Sequence, residues 1–280
     1  MSDTAIAAPR RRRLSVAGQA GIALVLAWAA LAVFGPYLAP YRAGDVANAG
    51  VFAPMSAAHP FGTDYLGRDM LSRILVAARF TIGLALVAAL AASITGTTLA
   101  LIAATAGGWI DEVMSRLMDA FISIPSKMLA LVMVAAFGSS VGLLILTATL
   151  SYTPGAYRIA RSLAVNVKTL EYVQAARARG ERLGYIARVE ILPNMVNPML
   201  ADFGLRFVFV VLLLSGMSFL GLGVQPPNAD LGSLVRENIS GLFEGAPAVV
   251  MPAIAIATLT VSVNLLIDAI SGRAARVTEN

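Results

Sequence analysis

Five stretches of this chain carry no Asp, Glu, Lys or Arg over 23 residues or more: 14–41, 80–110, 128–157, 207–229 and 245–267. A helix crossing a bilayer needs about 20 mainly apolar residues, and a helix satisfies all its backbone hydrogen bonds internally where no water is available. Such runs therefore point to an all-α integral membrane protein. Only 13% of the residues are charged, against roughly 25% in an ordinary soluble domain, while 58% are hydrophobic and mean hydropathy is +0.77. Too few polar side chains remain to coat a water-facing surface.

The third run, extended back to Phe121 across a lone Lys127, covers 37 residues and is interrupted near its middle by Gly138-Ser139-Ser140. At about 1.5 Å per residue it is far longer than a ~30 Å hydrocarbon core, so it is expected to fold as two spans. Lys and Arg near span ends concentrate on the cytoplasmic side. Six spans with the N-terminus inside place 16 basic residues inside and five outside, whereas five spans place seven inside and 14 outside. The reading is six spans with both termini cytoplasmic. The first apolar run exceeds the 7–15 residues of a signal peptide core and is expected to stay as a span. Net charge is +5 and pI about 9.9, but the basic residues gather at span ends, where they report orientation and not nucleic acid.

Composition also excludes chemistry. The chain has no Cys and one His, His59, so thiolate zinc sites, iron–sulfur clusters and His-rich metal centres are ruled out. Neither of its two lysines, Lys127 and Lys168, follows a Gly as a phosphate-binding loop requires. No nucleophile constellation sits within the spans, which argues against a membrane-embedded enzyme. An ion-gradient-driven secondary transporter is the alternative function, but it would need midplane carboxylates, and no acid is expected in the middle of a span.

Two polar segments remain, from about 35 to 79 and from 158 to 202. In the second, residues 163–179 read as helix; Tyr172, Ala176 and Gly180 are four apart and share a face. Gly180 can take positive φ and end that helix, and a second helix should run from Glu181 to Pro193. Arg177, Arg179, Arg182 and Arg188 would also suit an interfacial helix facing anionic headgroups. In the first segment, His59-Pro60-Phe61-Gly62-Thr63-Asp64-Tyr65-Leu66-Gly67-Arg68-Asp69 reads as a turn entering a helix capped by Thr63 or Asp64. Asp64/Arg68 and Asp69/Arg73 form i,i+4 pairs, each worth roughly 0.3–0.5 kcal/mol if exposed.

The spacing Ala175-Ala176-x3-Gly180, with Ile191-Leu192-Pro193 following, resembles the EAA loop of ABC importer permeases. Gln174 stands where that motif has Glu, and Glu190 where many members have Ile or His. The 59–73 stretch, Ser218-Phe219-Leu220-Gly221-Leu222-Gly223-Val224-Gln225-Pro226-Pro227 and Asn264-Leu265-Leu266-x-Asp268 are similar to one subgroup. That subgroup is the second, "C-type" permease subunit of dipeptide/oligopeptide/nickel importers. Leu231 replaces a usual Trp and Ile267 a usual Gly.

The resemblance implies the type I ABC importer permease fold. It also implies a non-catalytic subunit of the bacterial inner membrane that forms half of a translocation pathway for peptides or a related small solute. A homologous second permease, two ABC ATPases and an extracytoplasmic solute-binding protein would be its partners beside the lipid bilayer. ATP and Mg would be bound by the ATPases, with no cofactor in this chain. Glu171, Tyr172, Ala175, Ala176, Arg177, Gly180 and Pro193 would form the coupling helix that docks on an ATPase. Gly62, Thr63, Asp64, Gly67, Arg68 and Asp69 would lie on the binding-protein side. Gly221, Gly223, Pro226, Asn264 and Asp268 are read as structural helix ends, Asp268 as a cap or ion-pair partner. The organisation is then a basic cytoplasmic tail (1–13), a first span with an extracytoplasmic segment (14–79), a core (80–270) with a coupling loop at about 163–194, and a tail (271–280).

Overall fold

A computed structural model describes residues 16–47 and 49–277, with side chains to residue 270. The basic tail expected at 1–13 lies outside the described residues. Among those described there is no strand, and the chain is a bundle of helices: α1 (Val16–Leu38), α2 (Met70–Ala106), α3 (Gly108–Ile122), α4 (Ser126–Phe137), α5 (Val141–Lys168), α6 (Glu171–Ala178), α7 (Leu183–Tyr185), α8 (Leu192–Phe219), α9 (Leu231–Glu237) and α10 (Pro247–Val277). A π-helical stretch, Ile186–Ile191, joins α7 to α8 without a break.

Small residues set the packing. α2 buries Ala77, Ala85, Ala88, Ala92, Gly96, Ala100 and Ala104 along one side, and α5 buries Ala148, Ala156, Ala160 and Ala164. In an apolar solvent helices associate through close van der Waals contact, which small side chains permit. At Gly96 an added Cβ would lie 2.5 Å from that of Ala156 and 2.8 Å from the carbonyl of Thr153. Gly35 of α1 meets Leu75 of α2, Gly21 meets Leu265 of α10, and Gly204 of α8 meets Ile267.

These meetings fix direction. Leu144 and Ala148 share a cluster with Leu84 and Ala88, Gly96 lies on Ala156, and Lys168 reaches Ala104, so α2 and α5 are parallel. Tyr152 meets Phe209 and Gly155 meets Arg206, so α8 is antiparallel to α5. α10 opposes both α1 and α8. Two parallel helices joined by 34 residues require the chain between them to cross back, and α3 with α4 makes that return. Four helices are long and apolar enough to cross a membrane on their own, or five if α3 and α4, bent by 81°, count as one. α5, at 28 residues, runs beside α2 but is not among them. Gly21 on Leu265 puts the described start of α1 and the described end of α10 at the same end of the bundle.

Several boundaries differ from the charge-free runs. The expected third span from Phe121 is only α4, 12 residues. The break comes at Gly138 (φ 82°) as expected, but a second bend at Ser123-Ile124-Pro125 turns α3 away. α3 cannot enter hydrocarbon because it carries Asp111, Glu112, Arg116 and Asp119. Arg161 holds Asp111 through two bonds (2.5 and 2.6 Å) and Arg158 holds Asp119 (2.7 Å), pinning α3 across α5. α2 begins ten residues before Phe80 and runs unbroken through the division expected at 79/80.

α8 begins at Leu192, 15 residues before Phe207, and takes Asp202 and Arg206 into the span. Both are buried and pair with each other (2.6 and 2.9 Å). The helix boundary expected just before Phe207 therefore fails, because the charge that marked a loop is neutralised within the helix. α10 continues past Asp268 to Val277.

Candidate functional site

The segment between α5 and α8 lies at the end of the bundle shared by the described termini of α1 and α10. The single helix expected over 163–179 is broken: α5 ends at Lys168, Thr169 caps it and Leu170 is extended (ψ 146°). Gln174 closes this turn by donating to the Lys168 carbonyl (2.8 Å), which accounts for an amide at the position where the motif has a carboxylate. α6 ends at Gly180, whose φ of 81° leaves the right-handed region. Its N–H bonds Arg177 O (2.9 Å), and Glu181 N–H bonds Ala176 O (3.2 Å), the paired bonds of a Schellman cap. Pro193 does not end the second helix. It occupies the first turn of α8, where the missing N–H removes nothing the helix needs.

The face expected to carry Tyr172, Ala176 and Gly180 together is divided. Ala176 is fully buried against its own chain, as is Val173, while Tyr172, Ala175 and Gly180 are exposed. Ala176 is therefore covered by its own chain, where it seats the segment. Arg177 also turns inward, donating to Thr105 O (3.2 Å), and Lys168 donates to Ala104 O (2.6 Å). Both cations sit at the C-terminus of α2, where unpaired carbonyls and the helix dipole favour positive charge. Glu171 and Pro193 are exposed. The outer surface instead presents Leu170, Tyr172, Leu183, Tyr185 and Val189, all large, apolar and exposed. Sequence reasoning named Tyr172 but otherwise followed the small residues and missed Leu170, Leu183, Tyr185 and Val189; their only signal was the recurrence of bulky residues between the arginines.

At the opposite end, the 39–69 segment folds over α2 and α9. Gly62 and Gly67 take positive φ, and a Cβ at Gly62 would stand 2.4 Å from Ala53 O. The cap of α2 is Asp69, not Thr63 or Asp64: its carboxylate accepts from Ser72 N (2.8 Å) and Ser72 Oγ (2.6 Å). His59 Nδ1 bonds the other oxygen (2.9 Å). Thr63 joins Ala53 N to Gly50 O through its hydroxyl. Asp64 is fully buried and accepts from Leu66 N, Arg68 N, Arg68 Nε and Arg73 Nη1, all within 2.9 Å. The Asp69/Arg73 pair does not form, because Arg73 reaches Asp64 and Glu237 (2.8 Å). Glu237 and Asn238, which receives Tyr65 N (2.9 Å), lie about 170 residues away in sequence and were not legible there.

α8 stops at Gly221, not at Pro226. Gly221 N bonds Ser218 O and Leu222 N bonds Met217 O, with φ 85° at the glycine. A Cβ at Gly223 would overlap Ser218, so Gly223 serves close packing. Ser218 Oγ donates to Asp230, which caps α9 through Ser233 N (2.7 Å); burial pushes the Asp230 carboxyl above its ordinary range. Asn264 and Asp268 are exposed on the side of α10, seven or more residues short of its end. Asp268 is therefore not a cap, and no side chain pairs with it among the described residues. An open cavity of about 380 Å³ lies between α3 and α5, lined by Ser115, Asp119, Tyr157, Arg158 and Arg161.

Residues 96–276 match the family described as "Binding-protein-dependent transport system inner membrane component". Over 261 residues the chain is 33% identical to the glutathione transport system permease protein GsiD of Pectobacterium atrosepticum, covering 91% of this chain and 85% of that one. It is 31% identical to the dipeptide transport system permease protein DppC of Alkalihalophilus pseudofirmus, covering 89% and 82%. It is 32% identical to the probable D,D-dipeptide transport system permease protein DdpC of Escherichia coli, covering 85% and 80%.

Proposed function

This chain belongs to the family of binding-protein-dependent transport system inner membrane components, and on that premise we propose that it is the non-catalytic permease subunit of an ATP-driven importer for peptides or a related small solute. It forms half of the pathway with a homologous second permease in the bacterial inner membrane. One of two ABC ATPases docks on the 170–191 segment, which is cytoplasmic, and the other on the second permease; the ATPases bind ATP and Mg. A solute-binding protein delivers cargo at the end carrying the 39–69 segment and α9.

The observation that supports this reading best is the exposed apolar set Leu170, Tyr172, Leu183, Tyr185 and Val189 on a segment whose other face is buried. Monomeric surfaces in water seldom gather bulky apolar side chains without a partner. The segment is also the direct link between α5 and α8, so a push on it reaches two spans. The relatives named for glutathione, dipeptide and D,D-dipeptide transport support peptides as the cargo class.

The test is co-purification of the chain with an ABC ATPase co-expressed from the same source. Tyr185→Asp and Leu183→Asp remove apolar contact at the exposed face without touching the buried one. A docking hot spot costs about 2 kcal/mol or more on truncation, roughly 30-fold in affinity. Recovery of the ATPase should fall accordingly while the chain still inserts. Full recovery in both variants would overturn the docking face.

A further inference from the structure

Asp202 and Arg206 are an ion pair that the charge pattern assigned to a loop and the fold places within a span. Both are nearly inaccessible, at 7% and 6% exposed. Arg206 uses Nε and Nη2 on Asp202 and has a third arm, Nη1, that donates to the Tyr152 carbonyl of α5 (2.9 Å). Tyr152 answers across the same gap: its hydroxyl donates to the Phe209 carbonyl of α8 (3.0 Å), and its ring stacks on Phe209 at 6.4 Å. Gly155 leaves the room the guanidinium occupies, since a Cβ there would lie 2.9 Å from Nη1.

Helices in a bilayer associate without a hydrophobic driving force between them. A span that merely needed to pack would not take in two charges, because a buried pair is rarely more stable than apolar residues of the same volume. What the pair supplies is direction and register. A guanidinium fixed at two points by Asp202 delivers its third donor to one backbone oxygen of the neighbouring helix, about three to four turns above the start of α8. α5 and α8 are also the two helices that the 169–191 segment joins.

Given the coupling role proposed for that segment, we infer that Asp202, Arg206 and Tyr152 form a clamp that makes α5 and α8 a single rigid lever. Force applied at the bent segment then moves both spans together and does not dissipate by sliding one along the other. Asp202 and Arg206 are positioning residues and touch no cargo.

The chain has no Cys, so spin labels can be placed on single cysteines at Val165 of α5 and Val196 of α8, both exposed. Pulsed-dipolar distances are read in the full complex, nucleotide-free and trapped with ATP and vanadate. The intact clamp should give one narrow distance, the same in both states. Asp202→Leu/Arg206→Met removes both charges without leaving one unpaired, and should broaden the distribution about twofold with little change in melting temperature. Arg206→Lys keeps a charge beside Asp202 but loses the third arm, and should broaden it too.

A narrow, state-independent distance in the double variant would overturn the clamp. Broadening that only accompanies a large fall in melting temperature would reduce the pair to a stabilising one and overturn it equally. If no ATPase co-purifies with the intact chain, the coupling reading fails, and the width measured in the chain alone still decides whether the clamp exists.

Discussion

Removing the carboxylate of Asp64 isolates the energetics of the 39–69 segment. Asp64 has no exposed surface and takes four hydrogen bonds: two from the backbone at Leu66 and Arg68, and two from the guanidinium groups of Arg68 and Arg73. The two arginines are balanced by Asp64 and Glu237. Asp64→Ala leaves two cations facing one carboxylate, and leaves two backbone N–H groups of a tight turn without acceptors. Breaking a buried pair by deleting one partner costs about 3–5 kcal/mol. Arg68 and Glu237 keep some water contact, 15% and 18%, which places the cost near 3 kcal/mol. The four bonds lie at one end of the bundle, so the loss should appear as local opening. Amide exchange at 63–68 should accelerate by about 10²-fold while amides in the middle of α2 and α5 stay protected. Asp64→Asn retains an acceptor for the two backbone donors and loses only the charge, so it should fall between wild type and Asp64→Ala. If exchange at 63–68 is unchanged in Asp64→Ala, the network is not what holds the segment. If protection is lost throughout α2, the segment is not a separate unit.

Two further outcomes follow from burial. Ala176→Arg places an unpaired cation in a site with no accessible surface, so it should unseat the bent segment in the chain alone; protease cleavage within 169–191 should rise before any ATPase is added, and unchanged cleavage would return Ala176 to the outer face. Asp230 is held above its ordinary value of 3.8 by burial, so the folded state binds the extra proton. The stability this gives is complete below the unfolded value and is lost as pH rises through the raised folded one. Melting temperature in detergent should decline over that interval, and Asp230→Asn should flatten the decline while preserving the cap; a slope of the same size in the Asn variant would mean that another group causes it.

What the sequence made legible was whatever depends on one helix at a time. Runs without charge fell on α1, α2, α8 and α10, the helices long and apolar enough to cross a membrane, Gly138 marked a true break, and Gly180 carries the positive φ that its place after a helix suggested. The rest depends on pairs of helices. Asp64 and Arg73 read as members of two exposed local pairs, yet Arg73 reaches Glu237, 164 residues on. Ala176 read as outer surface, because four-residue spacing identifies a face without saying which way it points. Ile267, where the subgroup usually has Gly, packs on Gly204, with Cγ1 2.7 Å from the position of an added Cβ. Bulk on one helix is matched by its absence on the other, a compensation no single stretch reveals.

The errors share a direction, and the direction has a cause. Treating every charge as a boundary made helices too short at 70–79, 192–206 and 268–277, and left residues 111–120 of α3 in a loop. A charge ends a span only if nothing in the protein neutralises it. Arg73 has Asp64 and Glu237, and Arg206 has Asp202, so helix continues through both. In α3, four charges over nine residues exceed what α5 can pair: Asp111 and Asp119 are taken, while Glu112 and Arg116 stay exposed with only each other. That helix is therefore pinned across α5, and Ser123-Ile124-Pro125 turns the chain into α4. Partner availability, more than charge count, decides where a helix of this chain continues and where it breaks.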